Sequence, residues 1–442
     1  MVAPPPTASH RHETHGKALS LNLDRSVYGT LAEIGAGQEV ARWFLGVGAA
    51  SGTVAKAISA YDKQVSDEIY GTGTRYVSKE RLLAMLDREY QLLLECLSDT
   101  RSEETRFFAF ADTIAARNYQ GDNEQHGWVG IRFQTEPAAP PSQLLLHINL
   151  CDPTAQQQQQ AIGILGVNLI YAAHYQRADI EEFLPALYDD LSIDRIEIDV
   201  IEFDGPAFLN QDVRAWCLAL LGRQMAHAIV FDNGRVVEPS SLLRKRPLLV
   251  MRGTFEKAAL LDPASLQSGC RMLVEECGPF EREPVALTEL STRPVAGVEE
   301  VFHNRMLECI GQLAARSPVL ASDYAETYLL TRYLRRHSVE PVRFVLSVAA
   351  AAKILNETFY HNLPGTLLEG LGRLLATNVK VYVAPMPRKA FSAALGDTPG
   401  RLAVGASDDE LVVLDDLIPA EPACHLLKYL RAANWIVPLK QD

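Results

Sequence analysis

At 442 residues the chain is too long for one ordinary core and is enough for about two or three domains. Its 48% hydrophobic and 22% charged residues are those of a folded globular protein rather than a disordered or fibrous one. A formal charge of −13 and an isoelectric point near 5.4 argue against broad contact with nucleic-acid phosphates or anionic lipid, and no run of about 18 apolar residues offers a membrane span.

Taken in order, residues 1–18 read as a disordered tail, with prolines and histidines but without the apolar stretch of a secretory signal. Leu19 to Gly29 holds a short strand. Leu31 to Gly71 is dense in both glycine and charge, and Glu39 to Leu45 and Thr53 to Ala60 read as two short helices broken at Gly46 and Gly48. Ser78 offers an N-cap to a long helix whose Leu82, Leu86, Tyr90, Leu93 and Leu97 lie on one apolar face. Strands are expected over Arg106 to Thr113, Gly127 to Phe133 and Gln143 to Leu150, with PAAPPS at 137–142 turning the last two into a hairpin. AQQQQQAIGILGVNLIYAAHY is a helix whose five glutamines form solvated first turns, and Ile180 to Leu191 is another. In RIEIDVIEF, Ile196, Ile198, Val200 and Phe203 against Glu197, Asp199 and Glu202 show roughly the period of a half-buried strand. A helix over Asp212 to Leu221 and the strands HAIVF and LLVM follow.

Beyond GPFERE at 278–283 the short apolar strands VALTEL, VLAS, RFVLSV and VKVYV alternate with helices, which implies a parallel sheet covered on both faces. Residues 387–405 read as loop and Ala423 to Ala433 as a closing helix. The expected class is α/β: a glycine-rich α+β module with antiparallel strands over 19–150, then parallel βαβ modules over 151–278 and 279–442.

The seven cysteines form no CxxC pair, so neither a zinc ribbon nor a disulfide framework is indicated, and most are expected as small buried hydrophobes in a reducing, cytoplasmic setting. No HExxH or GxSxG occurs, and His10, His12 and His15 lie in the tail, so no metal centre is predicted.

Two stretches carry candidate chemistry. AEIGAGQE places Gly35, Gly37, Gln38 and Glu39 at the end of a strand, where glycine lets backbone approach a ligand, and Lys56 further on would counter phosphate charge. Packing of small residues between helices explains the glycines equally well. The second stretch, Ala116 to Gln134, gathers Asn118, Asn123, Glu124, His126 and Arg132 on a loop returning into a strand. There His126, beside the carboxylate of Glu124, has the makings of an oriented base, although a histidine in a turn is more often structural.

AEIGAGQEVARWF, RYVSKERLLAMLDREY, FFAFADTIAARNYQG, HGWVGIRFQ, GILGVNLIYAAHY and FYHNLPGTLLEGLGRLL resemble the blocks of one bacterial family of poorly characterised proteins. That family commonly bears the label nicotinate- or nicotinamide-nucleotide adenylyltransferase, and sometimes TonB-dependent receptor. The resemblance runs over almost the whole chain from about Leu21. It implies adenylyl transfer from ATP to a pyridine mononucleotide, with a nucleotide as partner and ATP and magnesium as the cofactors to look for. His126, Glu124 and Arg132 would then act on the reacting groups, with Gly35, Gly37, Gln38, Glu39, Lys56, Asn118 and Asn123 around the ligand. The chain departs from the pattern: the family's NECHGW reads NEQHGW, RGSFRPVT reads RGTFEKAA, and neither an HxGH turn nor an ISSTxxR motif is present. A non-catalytic ligand-sensing or scaffold protein is the second expectation. An S-adenosylmethionine-dependent methyltransferase, resting on EIGAG alone, is the third. No nucleic-acid or membrane partner is expected, and a homo-oligomer is compatible with the sequence.

Overall fold

The computed structural model describes residues 13–73, 75–255, 261–292, 300–395, 401–402 and 410–440. It is mixed α/β and divides into two compact units, one ending at His227 and the other beginning at Ala228.

The N-terminal unit runs α1 (Thr14–Leu23), β1 (Val27–Ile34), α2 (Gln38–Gly46), β2 (Val54–Ser59), α3 (Lys63–Tyr70), α4 (Lys79–Arg101), β3 (Arg106–Ala115), β4 (His126–Phe133), β5 (Ser142–Leu150), α5 (Ala155–Tyr175), α6 (Ile180–Leu187), β6 (Ile196–Asp204) and α7 (Val213–Gly222). Its six strands order as β2-β1-β3-β4-β5-β6, parallel across β2-β1-β3 and antiparallel from β3 to β6. Strands β3 to β5 are buried almost throughout because both faces are covered. On one face α2 and α5 meet through small residues, with Gly166 against Val40 and Phe110; on the other Leu82 of α4 packs over Gly130.

Several expectations change here. The supposed tail is ordered from residue 13. Helix α1 starts on Asp190, which accepts from the Thr14 amide at 2.8 Å and hydroxyl at 2.7 Å. Lys17, buried within the unit, donates to Asn168 Oδ1 and the Ala186 carbonyl at 2.8 Å and pairs with Asp189 at 2.7 Å. Burial pushes its amine below the usual lysine value, and Asp189 opposes that shift. Residues 1–12, with His10 and His12, lie outside the described part. Thr53 to Ala60, read as helix, is the edge strand β2, where Val54 and Ile58 pair with β1. Glu197 and Asp199 of β6 are buried, not solvated, and so is Gln158 within the glutamine run. Only Cys217 among the cysteines is buried, its thiol pushed up to about 12 by desolvation.

The C-terminal unit contains β7 (Ala228–Asp232), β8 (Arg235–Val237), α8 (Pro239–Leu243), β9 (Leu248–Thr254), α9 (Pro263–Cys277), β10 (Val285–Ser291), α10 (Glu300–Ala314), β11 (Val319–Ser322), α11 (Thr327–His337), β12 (Val342–Ser347), α12 (Val348–Ile354), α13 (Thr366–Leu374), β13 (Val379–Ala384), α14 (Arg388–Leu395), α15 (Ala423–Ala432) and a last strand, Ile436–Pro438. The parallel strands order as last-β13-β12-β9-β10-β11, and β7 and β8 continue the sheet antiparallel. Taken in chain order from β9, this is the 3-2-1-4-5-6 sequence of a doubly wound sheet, with its switch between β9 and β12. The boundaries placed at 150 and 278 fall inside sheets, since β5 pairs with β6 and β9 with β10. Residues 388–395, read as loop, form α14.

Lys17→Ala would remove the buried amine that Asn168 Oδ1, the Ala186 carbonyl and Asp189 share. It is expected to lower stability by about 3 kcal/mol, seen as a clear drop in Tm. An unchanged Tm would show that α1 is not anchored by this lysine.

Candidate functional site at the strand ends of the N-terminal unit

Strand β1 leads through α2 to β2 on one side, and the chain then returns through α3 and α4 to β3 on the other. The point between the carboxyl ends of β1 and β3 is therefore a topological switch, the usual place for a ligand in an open α/β sheet. The turn there needs its glycines. Gly35 has φ of 102°, and a Cβ on it would lie 2.1 Å from the Ile114 carbonyl oxygen. Gly37, which begins α2, would bring a Cβ to 1.9 Å from Asp112 Oδ2.

Asp112 is the register partner of Glu33 across β1 and β3, so the two side chains leave the same face of neighbouring strands whose backbones lie about 4.8 Å apart. Asp112 is 0% exposed and Glu33 6%. Neither Asp112 oxygen, nor Glu33 Oε2, has a hydrogen-bond partner among the described residues. Burial, and then the neighbouring acid, raise both: Asp112 well above the usual carboxylate range with Glu33 adding, and Glu33 to about 7 with Glu39 adding.

A second group stands on the opposite face at the same end of the sheet. His126 opens β4 and pairs across with Asn149 of β5. His126 Nδ1 lies 3.0 Å from His147 Nε2, and His147 Nδ1 lies 2.6 Å from Asp199 Oδ1. Asn149 donates to Asp199 Oδ2 at 2.8 Å. A register shift in β6 lets Asp199 reach them, since His147 pairs with Val200 but Ile148 with Ile198. Asp199 as acceptor fixes the Nδ1–H tautomer of His147, and one proton then lies between His147 Nε2 and His126 Nδ1. Trp128 closes this group, its ring centroid 5.1 Å from that of His147.

The other expected residues disperse. Gln38 donates to Ser59 Oγ at 3.1 Å, and Glu39 pairs with Arg42 at 3.0 Å. Lys56 pairs with buried Glu89, which also accepts from Tyr70 at 2.9 Å, so this lysine serves an internal carboxylate. Asn118 and Asn123 hold their own loop: the Asn118 amide donates to Asn123 Oδ1 at 2.9 Å, and Asn123 Nδ2 to the Ala116 carbonyl at 2.8 Å. Glu124 is half-buried in that loop, ahead of His126. Arg132 pairs with Asp87 at the far end of β4, six residues or about 20 Å from His126. Gln125 accepts from Gln158 at 2.6 Å. Residues 256–259 of RGTFEKAA lie outside the described part. Asp112, His147 and Asp199 were missed. Their signal was a polar residue inside an apolar strand, in FAFADTI, LLLHINL and IEIDV.

No protein-family model and no curated protein matches the chain. Solved structures do, in part. The chain is similar to the competence/damage-inducible protein CihA from Agrobacterium tumefaciens, at 17% identity and TM-score 0.26, covering 36% of this chain and 94% of that one. A competence or damage-inducible protein from Enterobacter asburiae matches at 13% identity and TM-score 0.27, covering 37% and 96%. A CinA superfamily protein from Klebsiella pneumoniae matches at 13% and 0.27, covering 37% and 93%. At these values the likeness assigns neither substrate nor reaction, and the adenylyltransferase label gains nothing from it.

Because the folded state holds the Glu33 proton up to about pH 7 against an ordinary value of 4.5, stability associated with this group falls as pH rises through that interval. Glu33→Gln removes the titration. In chelator-treated protein it is expected to raise stability at pH 8, on the order of 1–3 kcal/mol, and much less at pH 5. Thermal unfolding of both proteins at the two pH values measures this; an equal effect at both would contradict the assignment.

Proposed function

We propose that the N-terminal unit is an acid–base enzyme acting on a small polar ligand of the nucleotide class, with His126 as the group that takes or gives the proton. The observation that carries this is the Asp199–His147–His126 hydrogen-bonded chain at the strand ends. A carboxylate that orients one imidazole, which in turn orients a second, stabilises the imidazolium formed when His126 takes a proton. Adenylyl transfer from ATP to a pyridine mononucleotide is the specific reaction that the family resemblance suggests. The pairing of Lys56 with Glu89 and of Arg132 with Asp87 speaks against those two side chains as phosphate counter-ions. That same observation favours a second reading, a ligand-sensing protein without turnover. The strand–turn–helix around Glu33 to Glu39 keeps S-adenosylmethionine among the ligands to be tried.

Thermal unfolding with ATP–magnesium, nicotinamide mononucleotide, NAD or S-adenosylmethionine, each alone, selects the ligand, since one bound only by the folded state raises stability by about 2.7 kcal/mol at a hundredfold excess over its Kd. With a turnover assay for that ligand, His126→Gln is expected to lower kcat by about 100-fold or more with folding retained. Asp199→Asn should shift the pH–rate profile as well as lower kcat. Full turnover in His126→Gln would end the acid–base reading, and binding without turnover in the wild type would favour the sensing one.

A further inference from the structure

Buried carboxylates in the N-terminal unit are otherwise provided with partners. Glu89 has Lys56 and Tyr70, Asp152 has Arg195 at 3.0 Å, Glu197 accepts from the His227 amide at 2.9 Å, and Asp199 has His147 and Asn149. In the C-terminal unit the buried Glu289 has Arg252 at 3.1 Å and Ser322 at 2.6 Å. Glu33 and Asp112 stand apart, because three of their oxygens lack a hydrogen-bond partner among the described residues. They are adjacent in register, lie on one face and sit at the switch point beneath the Gly35–Gly37 turn. A core that tolerated them only as inert acids would gain by replacing them with apolar residues of similar volume.

We infer that Glu33 and Asp112 hold a divalent cation of the magnesium–manganese class at the turn between β1 and α2. Carboxylate oxygens are hard ligands of the kind these ions take, and such ions commonly rest on one or two protein carboxylates, with water or a ligand's phosphate completing the shell. Without the ion, the two acids offer a phosphate no positive charge. With it, the charge there is largely cancelled and a phosphate oxygen becomes a suitable further ligand. Recruitment of a nucleotide through the ion rests on the function proposed above; binding of the ion does not.

The experiment titrates the full-length protein with Mn2+ alone and follows the loss of the free-ion electron paramagnetic resonance signal, with Mg2+ as competitor. Wild type is expected to show one Mg2+-competed site per chain. Asp112→Asn and Glu33→Gln should each weaken it by about tenfold or more while circular dichroism stays native. Gly37→Ala, which keeps both carboxylates but crowds Asp112, should weaken it too and serves if Asp112→Asn does not fold. Glu421→Gln is the control, because Glu421, half-buried Cys424 and His425 form a group of possible ligand atoms in the C-terminal unit. No binding by wild type, undiminished binding in Asp112→Asn or Gly37→Ala, or loss confined to Glu421→Gln would overturn the inference. A second titration with ATP separates the two ideas: Mn2+ binding that depends on Asp112 but brings no ATP affinity upholds the ion site and overturns the nucleotide reading.

Discussion

Parallel pairing of β1 with β3 is the constraint on which the N-terminal unit turns. It sets Glu33 opposite Asp112 in register and forces the chain to leave β1 through Gly35 at φ 102°, against the Ile114 carbonyl. It also opens α2 at a glycine whose missing Cβ makes room for the Asp112 carboxyl. Electrostatics follow from that geometry. Two acids removed from water and set side by side resist ionisation, so the turn either keeps protons or takes a cation. A site built this way suits a phosphate only when some positive charge comes with it.

The opposite face of the same sheet solves a similar problem by different means. His126, His147, Asn149 and Asp199 are brought together from three strands, and each hydrogen bond satisfies a group that burial would otherwise penalise. The irregular register of β6 is part of that arrangement, since regular pairing would not leave room for the extra residue, Asp199. Lys17 makes the same point at the unit's beginning: an amine in the core is tolerated because an amide, a carbonyl and a carboxylate all meet it.

In the C-terminal unit the sheet is doubly wound, and a charge cluster joins a covering helix to its inner strands. Glu276 of α9 receives Arg343 Nε at 3.1 Å and Tyr382 at 2.7 Å, together with Lys380. Those donors outweigh its partial burial and hold its carboxyl down at about 2. This cluster ties α9 to β12 and β13, and the sequence following β9 lacks the glycine fingerprint of a dinucleotide site.

From the amino-acid sequence alone, the α/β class, the long helix capped by Ser78, the β4–β5 hairpin and the parallel strands of the second half were all legible, because each depends on local periodicity, capping or turn chemistry. The glycine-rich stretch and His126 were legible as points of interest for the same local reasons. Thr53 to Ala60 misled because short, alanine-rich segments suit helix and edge strand alike, and pairing with β1 decided between them. Glu33 meeting Asp112, and His126 meeting His147 and Asp199, could not be read from spacing, since the partners lie tens of residues apart and come together only through strand register. Arg132 and Lys56 show the converse: side chains suited to a ligand were claimed by Asp87 and Glu89, neighbours set by how α4 packs on the sheet. Local sequence determined the elements and several residues capable of chemistry. Tertiary pairing decided which of them share a site, because burial and proximity across strands, not residue type, set the charge and partner of each group.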